Sequence, residues 1–141
     1  MLRKLRKFAA LDWHDRQIIL QAFALVCATR LALWYVPFRQ VAKTQALGLN
    51  TGVPPDRLAW AITAAANCVP RATCLVRALA AQRLFAFHGY TSELRIGVAN
   101  SRETGFKAHA WLEHRGVTII GAAVDVPYTP LATPKREMSF R

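Results

Sequence analysis

Cys74 and His109 are the residues of this sequence whose types and surroundings point most clearly to chemistry. Cys74 follows Thr73 at the expected start of a helix, where unpaired backbone N–H groups and the helix dipole favour a thiolate. The thiolate is the nucleophilic form of cysteine, and a nearby imidazole would complete its activation. His109 is the candidate imidazole because it lies in an expected strand between two alanines. Together the two residues predict nucleophilic catalysis by a thiol.

Each cysteine and histidine also has a structural interpretation. A helical cysteine is most often a small core residue, and a histidine in a strand is often a hydrogen-bonded structural group. Cys68 lies six residues before Cys74 and could share a metal site or a redox bridge with it, although no Cys-x-x-Cys sequence occurs. Cys27 lies within an apolar run and is expected in the core. Since phosphate-loop and dinucleotide-binding motifs are also missing, we expect no metal and no organic cofactor.

The most apolar segment comes early in the chain, at residues 18–37. Its length would suit a membrane span, but Arg30 lies well inside it and a charge there is costly in lipid. We therefore expect a helix of a soluble protein and no integral membrane span. Asp12 or Asp15 could cap the start of this helix, and Pro37 can end it.

The remaining elements that must position Cys74 and His109 are predicted from caps and periodicity. Two further helices are expected, at residues 56–67 and 73–87. Alternating apolar and polar residues then predict three strands, at residues 93–98, 108–113 and 117–120. A polar turn at residues 100–105 is expected between the first two. The order of elements predicts an α+β fold, with a helical N-terminal half followed by an antiparallel sheet.

Composition limits the class of protein. The chain has 141 residues, 53% of them hydrophobic, with 19 Lys+Arg against 8 Asp+Glu and three cysteines. These values fit one folded domain and exclude a disordered polyelectrolyte, a disulfide mini-protein and a multidomain chain. The odd cysteine count favours a reducing, cytoplasmic location.

The formal net charge of +11 raises the question of an acidic partner. The densest basic cluster is Arg3, Lys4, Arg6 and Lys7, which could meet nucleic acid, an anionic membrane surface or an acidic peptide, or could simply be solvated. Nucleic-acid binding is supported by charge alone, because the four tryptophans are scattered and form no recognisable binding module.

Several motifs resemble one known family. The resemblance is carried by Cys-Leu-Val-Arg-Ala-Leu-Ala, Leu-Arg-Ile-Gly-Val, Ala-His-Ala-Trp-Leu-Glu and Tyr-Thr-Pro-Leu, at residues 74–80, 94–98, 108–113 and 128–131. Together with the apolar helix that runs to residues 33–38, they resemble the lasso-peptide biosynthesis B proteins, and in particular their C-terminal leader-peptidase domain. This resemblance covers nearly the whole chain and implies a transglutaminase-like, papain-like cysteine protease core.

The resemblance implies a cysteine peptidase that removes the leader from a ribosomally made precursor. In such systems a small domain recognises the leader, and an ATP-dependent lasso cyclase closes the macrolactam. The chain resembles the split form, so its expected partners are the precursor peptide, a separate leader-recognition protein and the cyclase, with no nucleic acid. We expect a single domain over 1–141, composed of a helical docking portion, a catalytic core and a flexible tail, at residues 1–66, 67–131 and 132–141.

The resemblance also assigns roles at the site. Cys74 would be the nucleophile, and His109 the general base and acid. The third residue of the family is commonly an Asp about twelve positions after the histidine, where this sequence has Gly121. Asp125, the nearest carboxylate after the third strand, is our first choice to orient His109. Glu113 shares the face of His109 but lies roughly 13 Å away along an extended strand.

Two questions remain open from the sequence. The site could be a Cys–His dyad, or a backbone carbonyl could orient His109 in place of a carboxylate. Asn67 could supply an oxyanion donor beside the backbone N–H of Cys74, although it could equally cap its own helix.

Overall fold

Helices precede strands throughout the part of the chain that the structure describes. A computed structural model describes residues 1–41, 51–103, 105–121 and 129–130. Its helices are α1 (Leu2–Ala9), α2 (Trp13–Tyr35), α3 (Phe38–Val41), α4 (Pro55–Ala66) and α5 (Cys74–Phe87). Its strands are β1 (Glu93–Ser101), β2 (Gly105–His114), β3 (Val117–Ile120) and β4 (Thr129–Pro130). The strands pair antiparallel in the order β3-β2-β1-β4, which confirms the predicted α+β class.

The apolar helix α2 packs through one face. It begins after Asp12, whose extended backbone forms the N-cap without a side-chain cap bond, and it ends two residues before Pro37. The buried positions recur every three or four residues, at Asp15, Ile18, Ala22, Val26 and Thr29. Asp15 accepts a hydrogen bond of 2.5 Å from the Arg57 guanidinium of α4.

By length and composition alone, α2 also meets the requirements for a membrane span, with a mean hydropathy of 1.7. Core helices of soluble proteins can meet them as well. The absence of an integral span, like the cytoplasmic location, therefore stays a prediction.

Helix α5 supports the centre of the fold. Thr73 caps it, because its hydroxyl oxygen accepts a hydrogen bond of 3.3 Å from the Val76 N–H. At the other end His88 is the C-cap, and Gly89 has a φ of +85°. The predicted bounds of this helix are thus confirmed to within one residue. Its apolar side chains join those of α2, α4 and the sheet in one core, whose largest fully buried members include Phe85, Leu84, Leu58, Ile62 and Leu112.

A tight hairpin joins β2 to β3. Its two turn residues, Arg115 and Gly116, both have positive φ angles, of 51° and 78°, as a type I′ turn requires. The return strand pairs Leu112 with Ile120, so that Gly121 lies immediately beyond the end of β3 and against β2. The hairpin therefore brings residue 121 beside residues 109–111.

Three features differ from the sequence predictions. The basic N-terminus forms a helix, α1, which was not predicted. The polar turn predicted at 100–105 is shorter, because cross-strand pairing continues from β1 to Ser101 and resumes in β2 at Gly105. The two-residue strand β4, which pairs with Gly97 and Val98, was also not predicted. The predicted flexible tail, at residues 132–141, lies wholly outside the described residues.

Candidate active site

The nucleophile candidate, Cys74, is the first residue of α5. This position places its side chain at the positive end of the helix, among backbone N–H groups that have no partner within the helix. The thiol is partly buried and is not in a disulfide. The local sequence explains the placement, since a threonine cap followed by strong helix formers fixes the start of α5 at residue 74.

The loop before Cys74 is tied to the helices on both sides. Arg77, one turn along α5, donates hydrogen bonds of 3.3 Å from Nε to the Ala72 carbonyl and from its terminal nitrogen to Oδ1 of Asn67. Arg30 of α2 donates a bond of 2.5 Å to the Pro70 carbonyl. Arg71 has a φ of +61°, a conformation that non-glycine residues rarely adopt. Such local strain persists where surrounding contacts determine the backbone, and it often occurs near functional sites.

His109 of β2 forms a hydrogen bond of 2.5 Å between its Nε2 and the carbonyl oxygen of Gly121. A carbonyl oxygen can only accept, so Nε2 carries the proton. In the neutral imidazole, Nδ1 is then the unprotonated nitrogen, which is the form a general base needs. The Gly121 carbonyl thus fixes both the orientation and the tautomer of His109.

Gly121 can approach β2 this closely because it has no side chain. Its φ is +79°, and a Cβ atom there would lie 2.9 Å from the Ala110 carbonyl oxygen and 3.3 Å from Cα and Cβ of Trp111. An aspartate at residue 121, which is common in the family that the sequence resembles, would meet the same crowding at this backbone position. Residue 121, where the sequence departs from the family pattern, therefore contacts His109 through its backbone carbonyl.

Cys74 and His109 line one cavity of about 550 Å³. Gly121 and Arg77 also line it, and its remaining walls are mainly apolar, formed by Ile62, Thr63, Ala72, Ile119 and Ile120. The cavity is large enough for a side chain or a short stretch of peptide. A helical cysteine and a strand histidine therefore line the same cavity, and their catalytic roles stay predictions.

Trp111 and Glu113 continue the face of β2 that carries His109. The Trp111 ring stacks on the imidazole, with ring centroids 6.1 Å apart and planes inclined by 20°. The indole N–H donates to Glu113 at 2.9 Å, and Arg95 of β1 donates to the same carboxylate at 3.3 Å. Glu113 thus orients Trp111 and pairs with Arg95. Trp111 supports the imidazole ring, a role the sequence analysis did not assign.

The other predicted site residues lie elsewhere. Asn67 is the C-cap of α4, is exposed, and does not line the cavity that contains Cys74. Its contribution as an oxyanion donor stays a prediction. Asp125 lies outside the described residues. Among the residues that the structure describes, no group of three His, Cys, Asp or Glu side chains comes together as a metal site would require.

From the sequence, Gly121 was identified only as a departure from the family pattern, and Arg77 was quoted within a motif without a role of its own. The signal for Gly121 was its position, twelve residues after His109 and directly after a strand that must pair with β2. The signal for Arg77 was its spacing from Cys74, because residues three apart lie close together on the same side of a helix.

Comparison with known proteins agrees with this arrangement. A sequence profile described as transglutaminase-like superfamily matches residues 16–133, which include Cys74, His109 and Gly121. Neither the curated proteins nor the solved structures gave a significant match. The superfamily includes cysteine proteases. By the extent of the profile match, this chain belongs to the transglutaminase-like superfamily.

Proposed function

We propose that the protein is a cysteine peptidase that removes the leader from a lasso-peptide precursor, together with a separate leader-recognition protein. The observation that carries this proposal is the cavity shared by Cys74, at the N-terminus of α5, and His109, on β2. The superfamily supports cysteine protease chemistry. The lasso-peptide assignment rests on the motifs at residues 74–80, 94–98 and 108–113.

In the proposed mechanism, His109 accepts the thiol proton of Cys74 through Nδ1, and the thiolate attacks the scissile carbonyl carbon. The backbone N–H of Cys74, with Asn67 as a candidate second donor, would stabilise the oxyanion. The C–N bond breaks as the imidazolium gives its proton to the leaving amine, which leaves an acyl-enzyme. His109 then activates water, and hydrolysis releases the leader and restores the thiol.

In this mechanism a neutral group, the Gly121 carbonyl, holds His109 in place of a carboxylate. A neutral carbonyl holds the imidazole in the correct tautomer, but it stabilises the imidazolium less than a carboxylate would. Asp125 is the proposed source of that negative charge. Replacing Asp125 with Asn should slow cleavage strongly if its carboxylate faces the imidazole. An unchanged rate would show that the Gly121 carbonyl acts alone.

The direct test is cleavage of the cognate precursor in the presence of its recognition protein, followed by mass spectrometry. Cys74→Ala and His109→Ala should abolish processing, while Cys68→Ala, which removes an exposed thiol six residues away, should leave it intact. Processing by the Cys74→Ala variant would refute the mechanism.

A second function is a non-catalytic binding or scaffold protein that retains the fold. The observation favouring it is the glycine at residue 121, where the family commonly has an acid. In that case Cys74 would be no more reactive toward a small electrophile than an ordinary thiol. Cytoplasmic location and the cyclase partner belong to the peptidase proposal.

A further inference from the structure

The outer face of α2 is apolar as well as the inner one. The inner face carries the buried positions from Asp15 to Thr29. The outer face exposes six large apolar side chains to solvent by 42% to 82%, namely Trp13, Leu20, Phe23, Leu31, Trp34 and Tyr35. Solvent-facing sides of helices in globular proteins are normally polar or charged. Exposed apolar side chains repeated along one face of a helix indicate an interaction site.

Charge is almost absent from α2 after its first turn. Between Gln17 and Phe38 the only Lys, Arg, Asp or Glu is Arg30, and its guanidinium is bound to the Pro70 carbonyl. Exposed tryptophans lie near the two ends of α2, with Trp13 at one end and Trp34 at the other. Amphipathic aromatic rings at the ends of an apolar helix are typical of contact with a membrane–water interface.

Helix α1 adds positive charge beside this surface. It has no buried residue and no acidic residue, and it carries Arg3, Lys4, Arg6 and Lys7. Leu2 and Leu5, three residues apart on the same helix, are exposed by 79% and 59%. Arg16 of α2 donates hydrogen bonds to the carbonyls of Ala9 and Leu11, which fixes the end of α1 next to the start of α2.

We propose that α1 and the outer face of α2 form a docking surface for anionic lipid membranes. The exposed apolar side chains would enter the headgroup region, and the cations of α1 would bind acidic headgroups. The inner face of α2 stays packed on α4 through Asp15 and Arg57, so the helix would lie in the plane of the membrane without crossing it. The combination of cations, exposed leucines and terminal tryptophans favours lipid over an acidic protein. The proposal does not depend on peptidase activity.

The test is co-sedimentation of the full chain with vesicles of phosphatidylcholine alone or mixed with phosphatidylglycerol. Binding should require phosphatidylglycerol, weaken with added salt, and shift the tryptophan emission of the wild type to shorter wavelength. Replacing Arg3, Lys4 and Lys7 with Gln should weaken binding roughly 100-fold, since each such cation near an anionic surface contributes about fivefold. The matched control, the hairpin charge variant, replaces three exposed cations in or beside the turns that join β1 to β2 and β2 to β3, namely Arg102, Lys107 and Arg115, with Gln. It should change binding much less.

A second variant tests the apolar contribution, with Leu31 and Trp34 both replaced by Gln. It should bind anionic vesicles more weakly than wild type while keeping its circular dichroism spectrum, because both side chains are exposed. Equal losses in the α1 and hairpin charge variants would overturn the proposal. Failure of the wild type to sediment with anionic vesicles would also overturn it. The same holds if the wild type does not bind vesicles but self-associates or binds another protein through Trp34. Alkylation of Cys74 should be the same in all these variants, so a failure here leaves the peptidase proposal standing.

Discussion

Gly121→Ala perturbs the contact that orients His109, and its cost can be worked out from the structure. At a φ of +79°, the left-handed conformation costs alanine about 1 kcal/mol relative to glycine, after allowing for the smaller entropy that alanine loses on folding. Its Cβ would also lie 2.9 Å from the Ala110 carbonyl oxygen, a distance that forces the backbone to move. Such overpacking costs about 1–3 kcal/mol. The total loss in free energy of unfolding should be about 2–4 kcal/mol.

Gly116→Ala is the matched control. Its φ of +78° is nearly the same, but nothing lies within 4 Å of the added Cβ. This variant should lose only the conformational contribution, about 1 kcal/mol. Urea unfolding of the two variants, followed by circular dichroism, therefore isolates the close approach of Gly121 to β2.

The same pair of variants tests the chemistry. Moving the Gly121 carbonyl should misorient His109, so Cys74 should react with iodoacetamide more slowly in Gly121→Ala under conditions where both variants are folded. Gly116→Ala should react like the wild type. If the two variants lose the same stability and Cys74 reacts equally fast in both, the reasoning about Gly121 is refuted.

Three further predictions concern the scaffold around the site. Arg115→Asn should raise the free energy of unfolding by about 0.5 kcal/mol, because Asn adopts the positive φ of 51° more readily in a type I′ turn; an unchanged urea midpoint would contradict this. Asp15→Ala should lower the free energy of unfolding by about 1–2 kcal/mol, because it removes the buried partner of the Arg57 guanidinium. Asp12→Ala, at a cap without a side-chain bond, should change it by no more than about 0.5 kcal/mol, and urea unfolding measures both. Burial lowers the pKa of His88 from 6.5, so the unfolded chain takes up a proton first as the pH falls. The free energy of unfolding of the wild type should therefore decrease below pH 6.5 by up to about 1.4 kcal/mol per pH unit. The free energy of unfolding of His88→Gln should decrease less over the same pH range.

Local signals in the sequence were sufficient for α5 and for the strand that carries His109. Thr73 and Gly89 mark the ends of the helix, and the alternation around His109 identifies the strand. These elements depend on short-range capping and periodicity, which a sequence displays directly. The shared cavity followed because an α+β fold packs the helix against the sheet.

The Gly121 contact could not be predicted in the same way. A backbone carbonyl has no side-chain signature, and its position depends on the hairpin register that pairs Leu112 with Ile120. The helix α1 was missed because eight residues with four cations indicate a solvated terminus as readily as an amphipathic helix. The stacking of Trp111 on His109 depends on ring orientation, which residue spacing does not determine.

The central claim is that His109 activates Cys74, and the alkylation rates of individual cysteines test it most directly. An ordinary thiol is only a few per cent thiolate at neutral pH. In the wild type, iodoacetamide should modify Cys74 about tenfold faster than Cys68, which is the more exposed of the two and serves as a control within the same molecule. In His109→Ala that advantage should disappear while the rate at Cys68 is unchanged. Equal rates at both cysteines in the wild type, or a Cys74 rate unaffected by the loss of His109, would contradict the claim.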